Sequence, residues 1–379
     1  MTTLRPDQHH PTLYFDDGNV VLSAYPSTLA RPVTENDKVY FRVHTSILRT
    51  WSPVMDEMFA IPPLHEERAV RDSEEDLEER EEKGKWKGKA GRVEEKMVET
   101  YDGVLHIETP DSLEDVESFL KVLYDPLGAA YKRFNPNTPV LVNGALKLAI
   151  KYECDALRAR IVENLEADWP QTLAQWDARR TEAIMMRSEH AQQQNGKVNG
   201  LYLDDRLPEP ASAIRIASDY NIPSILPAAF YELSLLSTDA DWDKYRSTPA
   251  HAGGKHLRFG ARTARWNLLD KRDLMRLVHG QKLLAAYTRA IGTDIFGTRC
   301  PRIAKGCSNA RADCWKYFQQ NAPVSMDDPL DVLHDCMQLE SLFTELPCPS
   351  CLSDIKASAE KKRRELWTSL PSFFNLNHH

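Results

Sequence analysis

Val39-Tyr-Phe-Arg-Val-His-Thr-Ser-Ile-Leu-Arg-Thr-Trp-Ser-Pro-Val-Met-Asp-Glu-Met-Phe-Ala-Ile61 decides the fold. Val39, Phe41 and Val43 alternate with Tyr40 and Arg42, so the stretch opens as a strand with one apolar face. His44 ends the strand. Thr45 or Ser46 can cap a short helix carrying Ile47 and Leu48. Ser52-Pro53 then opens a second helix, with Ser as N-cap and Pro at the first helical position, where its missing N–H costs nothing. Val54, Met55, Met58 and Phe59 recur at spacings of three and four along that helix. The product is a compact strand–helix–helix unit with no evident chemistry.

The flanking sequence extends this unit. Residues 1–11 are polar and read as a disordered N-terminus. Tyr14 to Ala24 reads as strand, with Asp-Asp-Gly turn chemistry at 16–18 followed by Val20-Val21-Leu22. Glu66 to Glu99 breaks the pattern: 22 of its 34 residues are charged, too many to bury, so 66–100 is expected to be a solvated, disordered insertion. Within it, Lys83-Gly-Lys-Trp-Lys-Gly-Lys89 is a basic run suited to an acidic partner or an import receptor. Its glycines lack the spacing of a phosphate loop. Val104, Leu105 and Ile107 resume a strand. Asp111-Ser112 caps a helix with Leu113, Val116, Phe119, Leu120 and Leu123 on its apolar face. Further helices begin near Thr138-Pro139 and span Asp155 to Asp168.

This ordered pattern resembles the BTB/POZ domain. The carrying residues are Phe41-Arg-Val-His44, Ile47-Leu48, Ser52-Pro53-Val54 and Met58-Phe59, with Phe15-Asp-Asp-Gly-Asn-Val-Val-Leu-Ser23 as the preceding strand. The wording is most similar to BTB proteins abundant in mushroom-forming (basidiomycete) fungi. The resemblance implies an α+β domain over residues 12–168, a small sheet flanked by helices. It also implies a module that binds protein and is not an enzyme. BTB dimers of the corepressor type carry a charged pocket whose matching positions here are Asn19 and Thr45. Both charges are missing, which argues against that mode of peptide recruitment.

Composition fits an interaction protein. The 379 residues are 42% hydrophobic and 27% charged, with net charge −8, enough chain for two or three domains. The negative charge argues against a nucleic-acid partner gripped along the whole surface. No apolar run approaches a membrane span, and the N-terminal residues lack a secretory h-region. Seven cysteines then read as reduced thiols of a cytoplasmic or nuclear protein.

The second half is helical in pattern. Gln171 to Arg187 reads as a long exposed helix. His190 to Asp205 reads as a flexible connection, so 169–205 is taken as a helical linker and 206–379 as a helical accessory domain. Ala145-Leu-Lys-Leu-Ala-Ile-Lys-Tyr152 matches Ala213-Ile-Arg-Ile-Ala-Ser-Asp-Tyr220 in polarity at almost every position, and Leu157 and Leu165 match Ile225 and Leu233 at the same offset. The common form is a helix, a turn and a second helix packing back. Duplication and convergence on hairpin chemistry both account for the echo. Lys361-Lys-Arg-Arg364 reads as a solvated helix face or an import signal. Leu366, Trp367, Leu370, Phe373 and Phe374 are expected to dock on the helical domain.

His44 has no nucleophile or ligand partner at useful spacing and reads as structural. Cys154 reads as a small core residue. Near the C-terminus, Cys300, Cys307 and Cys314 recur every seventh residue, and Cys348-Pro-Ser-Cys351 is a C-x-x-C. The candidate metal ligands are Cys307, Cys314, Cys348 and Cys351, since a C-x-x-C supplies half of a tetrahedral zinc site from one turn. Three readings stand: structural zinc, reduced unliganded thiols, or a redox pair.

The expected function is protein–protein interaction as an adaptor or scaffold. The BTB part would hold a cullin-type ubiquitin-ligase scaffold or a second copy of itself, through exposed residues between Trp51 and Ile61 and on the helix Leu113 to Tyr124. The helical part would hold a client. A nuclear transcriptional or chromatin regulator is the alternative. An enzyme is not expected.

Overall fold

The computed structural model describes residues 8–27, 34–60, 99–125, 128, 132–247, 252–297, 300, 307–321, 328–343 and 346–376. The fold is mixed α and β, and the chain divides into two compact units. One comprises Met1–Tyr124 with Leu148–Leu157, the other Asp125–Lys147 with Arg158–His379.

The first unit is built on a five-stranded sheet. Its strands are β1 (His9–Tyr14), β2 (Val20–Tyr25), β3 (Val39–Val43), β4 (Thr100–Tyr101) and β5 (Val104–Ser112), in the order β1-β3-β2-β5-β4. β2 runs antiparallel to β3 and parallel to β5. Val20 to Ala24 are all buried, Ser23 included with its hydroxyl 2.9 Å from His106 Nε2, which explains why the central strand opens on the apolar run Val20–Leu22 rather than alternating. Between β3 and β4 lie α1 (Thr45–Trp51) and α2 (Pro53–Ala60), and α3 (Leu113–Tyr124) follows β5 directly. Ser52 Oγ accepts the Met55 N–H at 3.0 Å, the N-cap its sequence predicts.

Other details depart from the sequence reading. Neither Thr45 nor Ser46 caps α1. Its N-cap is His44, which makes no side-chain cap. Asn19 supplies the cap from the turn before β2, accepting the Thr45 N–H at 2.8 Å and donating to Thr45 Oγ1 at 2.9 Å. Asn19 and Thr45 are thus bonded to each other. His44 donates its backbone N–H to Tyr124 Oη at 2.8 Å, its Nδ1 lies 2.9 Å from the same oxygen, and its Nε2 lies 3.3 Å from Asp17. Of the stretch 1–11 expected to be disordered, residues 1–7 lie outside the described residues, and His9 already begins β1. β1 pairs in parallel with β3, the His9 ring stacks on Tyr14 at 3.8 Å, and buried His10 accepts the Leu13 N–H. Of the charged insertion, residues 66–98 lie outside the described residues, the Lys83–Lys89 run among them, and Thr100 already belongs to β4.

The second unit is helical. Most of α4 (Thr138–Lys151) and α5 (Asp155–Asp168) belongs to it, as do α6 (Leu173–Ala191), α7 (Pro210–Asp219) and α8 (Leu226–Ser234). Then come α9 (Trp242–Arg246), α10 (Ala252–Arg258), α11 (Lys271–Ile291), a π-helical turn (Gly292–Phe296), α12 (Cys307–Asn321), α13 (Pro329–Cys336), α14 (Leu339–Leu342) and α15 (Pro349–Phe373). None of the described helices is long and apolar enough to cross a membrane.

The division does not fall at residue 168, as expected. Side chains tie the turn after α4 to the sheet unit: Ser52 donates to the Tyr152 carbonyl, and Tyr152 and Lys151 both bond Asp111. Nor is 169–205 a linker. α6 begins with a Thr172/Gln175 capping box and buries Trp176 and His190. Lys197–Val198 and Leu201–Tyr202 form β6 and β7, a hairpin turning on Asn199 and Gly200 at positive φ, the backbone an Asn-Gly turn favours.

The sequence echo has a structural counterpart. Glu153 after α4 and Asn221 after α7 both take φ of 54°. The next N–H closes the turn on the same carbonyl in each: Cys154 on Ala149 at 2.7 Å and Ile222 on Ala217 at 2.9 Å. Both hairpins therefore end their first helix with one left-handed residue and a six-residue closing bond.

The tail docks as expected, with Leu366, Leu370 and Phe374 fully buried. Within Lys361–Arg364, however, Arg363 is buried and grips Asp177, its Nη1 2.8 Å from Oδ2. That run is therefore neither a wholly solvated face nor an extended peptide. α15 crosses α11 at Gly280, where an added Cβ would overlap the Phe374 ring, itself stacked on Phe230 at 5.3 Å. Gly280→Ala would gain about 1 kcal/mol of helix propensity and cost roughly 1–3 kcal/mol in overpacking. Because the ring is fully buried, the clash is expected to win. Urea unfolding should show a net loss of up to about 2 kcal/mol, and a gain would refute this account.

Candidate metal centre

Four cysteines converge at one end of α12 and α15. Cys307 is the first residue of α12. Cys348 is the N-cap of α15, Pro349 its first residue, and Cys351 sits two residues further on, one turn from the cap. An N-cap and the third helical residue face each other by geometry, which is why a capping box uses this spacing. Here sulfurs fill both places, and Cys348 makes no side-chain cap of its own. Cys300 completes the group.

The distances suit a tetrahedral ion. All four sulfurs lie within 4.8 Å of one another, and Cys300 Sγ is 3.7 Å from Cys348 Sγ. Four thiolates at 2.3 Å from one ion stand about 3.8 Å apart along each tetrahedral edge. The thiols are free, and 3.7 Å is far beyond a disulfide bond. The Cys348 N–H donates to Cys307 Sγ at 3.4 Å. Cys300, Cys307 and Cys351 are buried, with Cys348 half-buried.

Burial pushes the Cys307 and Cys351 thiols up. The Cys348 N–H opposes this at Cys307, and the Arg311 guanidinium opposes it at Cys351. Without a cation these sulfurs hold their protons. A divalent ion reverses that balance, since coordination expels thiol protons. The N-termini of α12 and α15 both present their positive ends to the group. The residues present therefore fit a thiophilic divalent metal.

Of the four ligands expected from sequence, the structure groups Cys307, Cys348 and Cys351 but not Cys314. Helix geometry explains the substitution. Seven residues along one helix return to nearly the same face but advance about 10 Å along the axis. Cys314 is buried, with its thiol pushed up to about 11 by burial. It packs the core. Cys154 does likewise: it is fully buried, and burial raises its thiol to about 11. The seven-residue recurrence contains Cys300, Cys307 and Cys314 alike and so does not choose between Cys300 and Cys314. The available signal was that Cys307 and Cys314 on one helix cannot share an ion.

A second group, Asp331, His334 and Asp335 of α13, already faces a cation. Arg180 pairs with Asp331 and lies 3.9 Å from Asp335.

Compared with protein-family models, curated proteins and solved structures, the chain matches none.

Proposed function

We propose that this chain is a protein-interaction module with a BTB/POZ-type N-terminal unit, and that a structural zinc ion at Cys300, Cys307, Cys348 and Cys351 ties its helical unit together. One observation carries the interaction reading. α2, the second helix of the strand–helix–helix unit, buries Met55 but leaves Val54 and Met58 exposed at 36% and 37%. These residues are four apart and so share a face. Exposed apolar side chains paired on a short helix suit docking on another protein. The partner that best fits the sequence resemblance is a cullin-type scaffold. The zinc reading is supported by the 3.7 Å sulfur spacing and by an all-thiol donor set, which selects soft ions over Mg²⁺ or Ca²⁺.

The expected outcome is that the tagged full-length chain binds purified cullin scaffolds and that the V54D/M58D variant loses binding at least tenfold with an unchanged circular dichroism spectrum. Equal binding by the variant would remove α2 as the docking surface, and no cullin bound by the parent would remove the adaptor role. Native mass spectrometry without chelator should show one zinc per chain and reports in the same spectrum whether the chain pairs with itself.

A further inference from the structure

A tetrathiolate zinc centre carries a formal charge of minus two, and a mostly buried site must offset that charge to be stable. The two helix N-termini at the cluster supply roughly half a positive charge each. About one unit of negative charge is then left over. The group placed to offset it is Arg311, one turn after Cys307 on α12.

We infer that Arg311 is the built-in counter-cation of the four-cysteine centre, a positioning residue that fixes the ligand sulfurs and neutralises the charge left when a divalent ion binds; this rests on the zinc reading above. Three observations carry it. Arg311 is 2% exposed, so its permanent charge stands in a low-dielectric interior. Its guanidinium favours the ionised Cys351 thiol, opposing the upward push of burial. Its Nη2 also donates to the carbonyl of Ile295 in the π-helical turn, five residues before Cys300. One guanidinium thus stands on α12 with Cys307, bonds the turn that precedes Cys300 and bears on Cys351 of α15. Donors from outside the coordination sphere typically change metal affinity 10- to 100-fold. A fork of N–H groups can hold a sulfur and a carbonyl at once, which a lysine ammonium does with less directional control.

The test titrates the zinc-loaded full-length chain with a chromophoric chelator at fixed pH, comparing the parent with Arg311→Lys and Arg311→Met. The Met variant is expected to hold zinc 10- to 100-fold more weakly, and Lys should recover part of that loss because it restores the charge. A purely structural fork would not be rescued by Lys, so equal weakness of Lys and Met would overturn the electrostatic role. Affinity of the folded Met variant within twofold of the parent would overturn it as well. If the Met variant does not fold, cobalt substitution decides: the sulfur-to-cobalt charge-transfer band of Arg311→Lys should shift from the parent's, and an unchanged band refutes contact between Arg311 and the ligands. A parent chain that binds no zinc is a separate result. It removes the metal reading itself, whereas a parent that binds zinc as tightly as Arg311→Met removes only the role given to Arg311.

Discussion

Asp204→Ala is expected to destabilise the helical unit by about 3–5 kcal/mol, the range for breaking a buried ion pair from one side. Asp204 is 1% exposed and accepts from Arg246 Nη2 at 2.8 Å, Arg262 Nε at 3.0 Å and the Thr263 N–H at 3.1 Å, with Thr263 Oγ1 also bonded. Its partners are tied further. Arg262 donates to Glu232 at 2.7 Å and to the Pro208 carbonyl at 2.6 Å, and Arg246 donates to Asp205 and packs on the Trp242 ring. Removing the carboxylate leaves two guanidiniums short of negative charge and a backbone N–H without its acceptor. The loss of charge is the larger part, because a buried neutral hydrogen bond is worth only about 1 kcal/mol. Asp204→Asn, which keeps the shape and one acceptor oxygen, should therefore cost clearly more than 1 kcal/mol yet less than Ala. Urea unfolding of the full chain at neutral pH checks both. A loss below about 1 kcal/mol for the alanine variant would mean that water replaces the carboxylate, so that the network is not dry.

That network also marks where sequence reading stops. Local features were legible: Ser52-Pro53 as a helix start, Asp155 to Asp168 as one helix, and the burial of Leu366 and Leu370. Each depends on side chains within a few residues of one another. The echo between Ala145–Tyr152 and Ala213–Tyr220 was legible for the same reason, and its common left-handed residue at Glu153 and Asn221 is a backbone fact that polarity could only hint at. The bonds of Asp204 to Arg246 and Arg262 span 42 and 58 residues, and nothing in the local sequence distinguishes those arginines from solvated ones. Asp204 itself sits in Leu203–Arg206, beside an Asn-Gly turn, so its neighbourhood reads as loop. β1 was missed for a related reason. His9, His10 and Pro11 have poor strand character, and the strand exists because β3 offers it an edge to pair with. Tertiary pairing overrides propensity there, as it does for the helix start at Thr45, whose cap comes from Asn19 across the sheet.

Cys300→Ser is expected to release the metal, whereas Cys314→Ser should leave it bound. The ligand set expected from sequence and the set the structure groups differ in this one residue, so the pair of variants separates them. Zinc bound to the folded chain but not to the unfolded one stabilises by RT ln(1 + [Zn]/Kd), about 4 kcal/mol when free zinc exceeds Kd a thousandfold. Serine in place of Cys300 removes one thiolate from a four-sulfur set and substitutes a hydroxyl that is hardly deprotonated at neutral pH, so most of that stabilisation should disappear. Serine at Cys314 loses no ligand. Its cost is the burial of a hydroxyl in a core site where a thiol was nearly apolar, about 1–3 kcal/mol, and that cost should be the same with zinc or with chelator. The measurement is therefore a double comparison: unfolding midpoints of parent, Cys300→Ser and Cys314→Ser, each with excess zinc and with chelator. The parent and Cys314→Ser should show equal zinc-dependent shifts and Cys300→Ser almost none. The opposite pattern would place Cys314 in the centre and require α12 to unwind by two turns from Cys307, because no regular helix brings sulfurs about 10 Å apart onto one ion.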